Sequence, residues 1–431
     1  DGPLDLEIRR IGADTTVAAI ARLLERAQSE RPRVARIADR VARWFVLGVL
    51  LAATGTALYW SQAAPGEAFA ITLAVLVVTC PCALALATPS ALIAAGQRLL
   101  AGGMLVTRGR AVEQLAATDR VVFDKTGTLT QGQPTVQATE AGGRIDGAEA
   151  LAIAAALEAH SEHPIARAFA PWRDARTATG VHVERGHGIE GRIDGRRYRL
   201  GRGDWVGDDG DTEAGDGGTR IVLADESGTM LARFALVDPP RASVSAMLAR
   251  LRRLGLGVEV LSGDGEGPVR ALCRSLGIET WHARQTPAAK LERLRALQAR
   301  GHRVLMFGDG INDAPVLAGA DVSVAMGTGS ALAQTSADMV LTGQHPEDLA
   351  DAIIHARRAR RVIRQNIAWA VGYNTVALPL AASGLVAPWM AALGMSASSL
   401  LVVGNALRLG RSPRRRAAGM KAPAPTTPET A

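Results

Sequence analysis

Four apolar stretches bracket an otherwise polar chain, and no other feature restricts its fold as strongly. They run Trp44–Trp60, Phe69–Ile93, Ile367–Leu385 and Trp389–Leu407. Each comes close to the roughly 20 residues that a helix needs to cross the hydrocarbon of a bilayer. The short connections Ser61–Ala68 and Ser383–Pro388 lack Lys and Arg. Arginines crowd the outer flanks instead, at Arg31–Arg43, Arg98–Arg120, Arg357–Arg364 and Arg408–Arg416. Basic flanks mark the cytoplasmic side of a membrane protein. The pattern predicts four transmembrane helices in two hairpins, with the middle of the chain cytoplasmic. Buried core helices of a soluble protein fit these lengths and charges less well.

The same placement accounts for the net charge of +7 and the pI near 10. Such values would otherwise point to nucleic acid. The basic residues lie beside apolar segments, however, and aromatics make up only 4% of the chain, too few for a base-stacking platform. The lipid bilayer is the expected partner and nucleic acid is not. The cysteines, Cys80, Cys82 and Cys273, are too few for a disulfide framework, which fits a protein facing a reducing cytosol.

Between the hairpins lie roughly 265 residues, from Arg98 to about Arg364, within usual domain sizes for two domains. Strand-like runs at Arg120–Phe123, Val258–Asp264, His302–Gly310 and Asp321–Met326 alternate with amphipathic stretches such as Ser243–Gly255 and Ala288–Ala299. This βαβ rhythm predicts a parallel, doubly wound sheet. A Gly- and Asp-rich stretch, about Gln131–Phe234, interrupts it and carries a hairpin signal at Asp194-Gly195. We read that stretch as an inserted α+β domain. The Pro-rich residues after Arg411 are expected to be disordered.

Asp124 stands at the carboxyl end of one apolar strand, and Asp309 and Asp313 follow another. In open α/β sheets ligands sit beyond those strand ends. Carboxylates from two strand ends make a plausible Mg2+ site, with hard oxygen ligands and room for phosphate oxygens. A third strand ends in Ser262 and Asp264, and Lys290 offers a positive charge for a transferring phosphoryl group. An aspartate is already ionised at neutral pH and needs no general base to attack phosphorus.

The segments Asp124-Lys125-Thr126-Gly127-Thr128 and Gly308-Asp309-Gly310-Ile311-Asn312-Asp313 resemble the phosphorylation and hinge motifs of P-type ATPases. The phosphorylation domain of that family belongs to the haloacid-dehalogenase superfamily. The resemblance covers the chain up to Leu407. It implies that Asp124 takes the γ-phosphoryl of ATP, with Thr126, Ser262, Asp264 and Lys290 in the catalytic set. Mg2+ is then held by Asp124, Asp309 and Asp313.

The inserted stretch holds Ser161-Glu162-His163-Pro164 and the glycines Gly186, Gly188 and Gly191. His163 sits before a proline, near an expected helix start, where it can meet an adenine or stay a surface histidine. The glycines spell G-x-G-x-x-G, but between strands, so they do not make a dinucleotide fold. They form a hairpin loop or let a nucleotide lie close to the backbone. Together these segments resemble the signatures of the heavy-metal branch of the family. The resemblance implies an ATP pocket lined by Glu158, His163, Gly186, Gly188 and Ile189. Two departures stand out. The family usually has asparagine after the next glycine, where this chain has Arg202, and Thr-Asp where Ser330-Ala331 stand.

Cys80-Pro81-Cys82 lies within the second apolar stretch. Thiolates are soft ligands that favour Cu(I) over hard cations. A mid-membrane proline frees backbone groups, which is tolerable where they line a cavity. Tyr373, Asn374, Met395 and Ser399 lie in the second hairpin, and Met395 and Ser399 share a helix face. Met395 alone can be core filling, and Asn374 a helix–helix hydrogen bond. As a set they resemble the Tyr-Asn and Met-x-x-x-Ser motifs of the Cu(I)-transporting class. The zinc, cadmium and lead class usually places Lys and Asp in these helices, and neither occurs within Ile367–Leu407.

The chain is thus identified as a member of the heavy-metal, copper-type P-type ATPases, truncated at its amino terminus. The expected function is ATP-driven export of Cu(I) or Ag(I) through an aspartyl phosphate. The ion is bound at Cys80, Cys82, Tyr373, Asn374, Met395 and Ser399 and delivered by a copper chaperone or small thiol. The expected location is a bacterial plasma (inner) membrane. The alternatives are a zinc- or cadmium-type pump, a membrane-anchored phosphatase and a non-transporting metal sensor. The Thr-Gly-Glu tripeptide of the family's actuator domain does not occur in the sequence. Expected boundaries are 1–32 for the actuator end and linker, 33–98 and 351–410 for the transmembrane hairpins, and 411–431 for the tail. The phosphorylation domain takes 99–130 and 236–350, and the nucleotide-binding domain 131–235.

Overall fold

The computed structural model describes residues 33–79, 82–161, 164–184, 187–207, 218–309, 313–327, 331–343 and 345–410. The expected actuator end and the tail lie outside these residues, as do Cys80, Pro81, His163, Gly186 and Ser330. The chain divides into a unit containing Gly102–Ile354 and a helical unit containing Arg33–Ala101 and residues from 355 onward. The helical unit begins with α1 (Arg33–Ala63), α2 (Pro65–Val78) and α3 (Cys82–Ala101). Pro65 sits in the first turn of α2, where its missing N–H has no helical partner to lose.

In the other unit β1 (Met104–Val106), α4 (Ala111–Ala117) and β2 (Arg120–Asp124) lead to the insertion. The inserted domain comprises β3 (Thr135–Ala141), α5 (Gly147–Glu158), α6 (Pro164–Phe169), β4 (Thr179–Glu184), β5 (Gly188–Ile193), β6 (Arg196–Gly201), α7 (Gly203–Val206), β7 (Thr219–Asp225) and β8 (Met230–Val237). The chain then returns through α8 (Val244–Arg253), β9 (Gly257–Leu261), α9 (Glu266–Ser275), β10 (Thr280–His282), α10 (Pro287–Ala299) and β11 (Val304–Gly308). It continues with α11 (Ala314–Gly319), β12 (Val322–Met326), α12 (Ala331–Ser336) and β13 (Met339–Leu341).

The first sheet has the order β1-β13-β12-β11-β2-β9-β10. All its neighbours are parallel except β1, which pairs antiparallel with β13. Strands covered on both faces are apolar almost throughout, as in Val121-Val122-Phe123 and Val304–Phe307. Val122, Leu261, Met306 and Ala325 from the strands pack with Leu294 and Leu297 of α10 and with Val316 and Leu317 of α11. The expected doubly wound sheet is present, with an antiparallel edge strand in addition.

The inserted domain is a fully antiparallel sheet, β3-β8-β7-β6-β5-β4. Asp194 (φ 50°) and Gly195 (φ 77°) form the two-residue turn of the β5–β6 hairpin. Two left-handed residues are what a type I′ turn requires. The apolar face of α5 covers the sheet, and Phe169 meets Phe234 edge-on at 5.0 Å.

The helical unit is completed by α13 (Asp348–Ala382), whose later residues belong to it, and α14 (Pro388–Leu407). Among the described residues, every exposed large apolar side chain except Val183 lies in these helices and their connections. Their mutual contacts use small residues, with Ala83 and Ala87 meeting Ala370 and Val402. Large side chains outward and small ones inward is an arrangement that lipid favours and water does not. Among the described residues, Pro65–Ala101 and Pro388–Leu407 are long and apolar enough to cross a membrane.

Candidate active site

Strands β11, β2 and β9 are adjacent and parallel, so their carboxyl ends bring three loops together. β2 delivers Asp124, β11 delivers Asp309, and β9 delivers Ser262 and Asp264. Lys290 comes from the first turns of α10, which Thr286 caps by accepting from the Ala289 N–H. Asp124, Ser262, Asp264, Lys290 and Asp309, with Thr126 and Asp313, line one cleft of ≈730 Å³. The sequence-predicted catalytic set is therefore brought together in full.

The Lys290 ammonium donates to Asp124 Oδ1 and, at 2.8 Å, to Asp313 Oδ1. The Thr126 N–H donates to Asp124 Oδ2 at 3.1 Å, leaving the strand end with a fixed carboxylate. Lys125 pairs with Asp264, to which the Thr126 hydroxyl also donates at 3.4 Å. Burial, with Asp313 nearby, pushes the Asp124 carboxyl up to about 7 against the opposing pull of Lys290. Burial and Asp313 likewise push Asp309 up to about 6, offset by Arg241. Burial lowers Lys290, but Asp124 and Asp313 outweigh it and hold the ammonium above the ordinary lysine value. Lys290 alone does not neutralise three carboxylates.

Carboxylate oxygens of Asp124, Asp309 and Asp313 all lie within 4.8 Å of one another. A hard-oxygen set with surplus negative charge fits Mg2+. Gly127 is required here. Its φ is +71°, and a Cβ on it would lie 1.7 Å from Asp309 Oδ2. Sequence reasoning missed two residues that brace this loop. The Thr130 hydroxyl donates to Asp238 Oδ2 at 2.6 Å, and Arg241 Nη2 donates to the Gly127 carbonyl at 2.9 Å. The available signal was Asp238-Pro239-Pro240-Arg241, a rigid dipeptide between opposite charges just after the insertion.

A second cavity of ≈330 Å³ lies in the inserted domain. Glu158, Gly188 and Ile189 line it, as the resemblance implies. Glu158 is buried at the end of α5; burial raises its carboxyl, and among the described residues its Oε2 has no hydrogen-bond partner. Gly188 has a structural duty as well. It faces Gly201 across the β5–β6 pair, and a Cβ on either would press on the Trp205 ring.

In the helical unit Cys82 begins α3, next to Ala83 of the cluster with Ala370 and Val402. The Trp369 indole donates to Ser398 Oγ at 3.1 Å, and Asn366 donates to the Val402 carbonyl at 3.2 Å. These contacts align α13 with α14. A Cβ on Gly394 would lie 2.7 Å from the Tyr373 hydroxyl, which places Tyr373 beside the residue preceding Met395. Asn374 Oδ1 is buried and has no hydrogen-bond donor among the described residues.

Fold and carboxylate cluster define a haloacid dehalogenase-like domain, and the family model for such hydrolases matches residues 118–321. The chain is 38% identical over 430 residues to a cation-transporting P-type ATPase B of Mycobacterium bovis, covering 95% of this chain and 57% of that protein. It is 38% identical over 427 residues to a copper-exporting P-type ATPase of Mycobacterium tuberculosis, covering 96% and 56%. A solved zinc-transporting PIB-type ATPase in its E2.Pi state matches with a TM-score of 0.74 and 30% identity, over 94% of this chain and 69% of that one. The chain belongs to the P-type ATPases, in their heavy-metal branch. It spans little more than half the length of the curated relatives it matches.

Proposed function

We propose that this chain is the catalytic and ion-carrying part of an ATP-driven Cu(I) or Ag(I) exporter that works through an aspartyl phosphate. The observation that carries the catalytic half is the convergence of Asp124, Lys290, Asp309 and Asp313 at adjacent strand ends of an open cleft. An Asp124 oxygen attacks the γ-phosphorus of ATP. A bond from oxygen to phosphorus forms as the γ-phosphorus bond to the bridging oxygen breaks, and that electron pair leaves with ADP. Water later cleaves the acyl phosphate, which releases phosphate and restores Asp124.

Lys290 orients the nucleophile and offsets phosphate charge. Mg2+, held by Asp124, Asp309 and Asp313, supplies further charge neutralisation when bound. On this reading the parallel-sheet domain is phosphorylated and the inserted domain binds ATP at Glu158, His163, Gly186, Gly188 and Ile189. Phosphorylation is coupled to movement that opens the ion site to the far side.

The copper reading rests on soft donors. Cys80, Cys82 and Met395 supply sulfur, joined by Tyr373, Asn374 and Ser399. Among the described residues the buried Asn374 Oδ1 has no hydrogen-bond donor, which leaves it a spare acceptor. The match to a zinc-transporting structure supports a second reading, Zn2+ or Cd2+ export. We place the protein in a bacterial inner membrane, with a chaperone or small thiol supplying copper on the cytoplasmic side. ATP-driven uptake by inside-out vesicles of the full-length protein separates the readings. Uptake of Cu(I) or Ag(I), lost in Cys82→Ser and Met395→Leu, is expected. Uptake of Zn2+ in its place contradicts the copper assignment.

A further inference from the structure

The ≈330 Å³ cavity has two unlike ends. Glu158, Ile189, Leu200 and Ile221 form a buried, mostly apolar inner wall. The rim is exposed and includes Arg202. A flat base suits the inner wall. Phosphates, which shed water at great cost, stay at the rim. Ile165 and Thr219 line both this cavity and the cleft that holds Asp124, so a phosphate tail has a lined route towards the nucleophile.

We propose that Arg202 binds the phosphate tail of the nucleotide and that Asp204 competes with the tail for it. The assignment rests on reading this cavity as the nucleotide site. Arg202 Nε and Nη2 donate to the two Asp204 carboxylate oxygens at 3.0 and 2.8 Å. The two side chains are 59% and 55% exposed. An ion pair this wet adds little net stability. A guanidinium binds phosphate through parallel, charge-assisted bonds, so a polyanion arriving at the rim can displace the carboxylate.

The backbone fixes where this side chain starts. The Arg202 N–H donates to the His187 carbonyl at 2.9 Å, and Gly201 is paired with Gly188 under Trp205. The asparagine usual at this position in the family is neutral and shorter, and cannot form a guanidinium–phosphate fork. Arg202 therefore selects nucleotides by their tail, whereas the inner wall selects by base.

Isothermal titration of the detergent-solubilised chain with AMPPCP, a non-hydrolysable ATP analogue, and with adenosine tests this. Arg202→Ala is expected to weaken AMPPCP ~10-fold and to leave adenosine within about twofold. Asp204→Asn is expected to tighten AMPPCP roughly threefold by removing the competitor. Equal loss of both probes in Arg202→Ala, or loss of neither, overturns the assignment while the cavity remains a nucleotide site. Failure of the unaltered chain to bind either probe overturns the cavity reading and the Arg202 assignment together.

Discussion

Asp124 has to be ionised to attack phosphorus, yet its surroundings favour the proton. Its carboxyl is raised from 3.8 to about 7, so the folded protein binds a proton there that the unfolded chain has already lost. Its contribution is fully stabilising below the unfolded value and is lost as pH rises through about 7. Asp309, raised to about 6, acts in the same direction. In Mg2+-free buffer the melting temperature should fall between about pH 5 and about pH 8, with Mg2+ restoring it at the upper end. Asp124→Asn should melt higher than the unaltered protein at about pH 8 without Mg2+, while losing all phosphorylation. Gly127→Ala tests the neighbouring carboxylate, since its Cβ would lie 1.7 Å from Asp309 Oδ2. Displacing that oxygen by about 1 Å should slow single-turnover phosphorylation ~100-fold.

At the scale of elements, much was legible because the signals were local. The runs Arg120–Phe123, Val258–Asp264 and His302–Gly310 were legible as strands of one parallel sheet, and the observed strands Arg120–Asp124, Gly257–Leu261 and Val304–Gly308 lie side by side. Asp194-Gly195 specified its hairpin through the left-handed backbone that two-residue turns need. What could not be read was pairing between distant segments. Met104 meets Leu341, and Arg241 reaches the Gly127 carbonyl, through contacts that no periodicity encodes. Gly188 was legible as part of a hairpin loop or as room for a nucleotide, but not as the residue that lets β5 meet β6 beneath Trp205. A Cβ there would lie 2.3 Å from the Leu200 carbonyl oxygen, a backbone atom with little freedom to retreat. Gly188→Ala should destabilise the inserted domain by about 1–3 kcal/mol and lower its melting temperature accordingly. Thermal denaturation checks the first effect, and AMPPCP titration should show weakened binding alongside it.

As a whole molecule, the chain joins a carboxylate cleft to an apolar helical unit that carries Cys82, Tyr373, Asn374, Met395 and Ser399. One helix, α13, supplies residues to both units, with Asp351 paired to Arg250 near its start and Asn374 much further along. On the proposed function, ATP phosphorylates Asp124 only when the transported ion is bound. The most direct test is acid-stable, hydroxylamine-sensitive phosphoenzyme from ATP in the full-length protein, with Cu(I) or Zn2+ supplied. Labelling with Cu(I), lost in both Asp124→Asn and Cys82→Ser, is the expected result. Labelling that persists in Asp124→Asn, or that needs no metal at all, would overturn the proposed function.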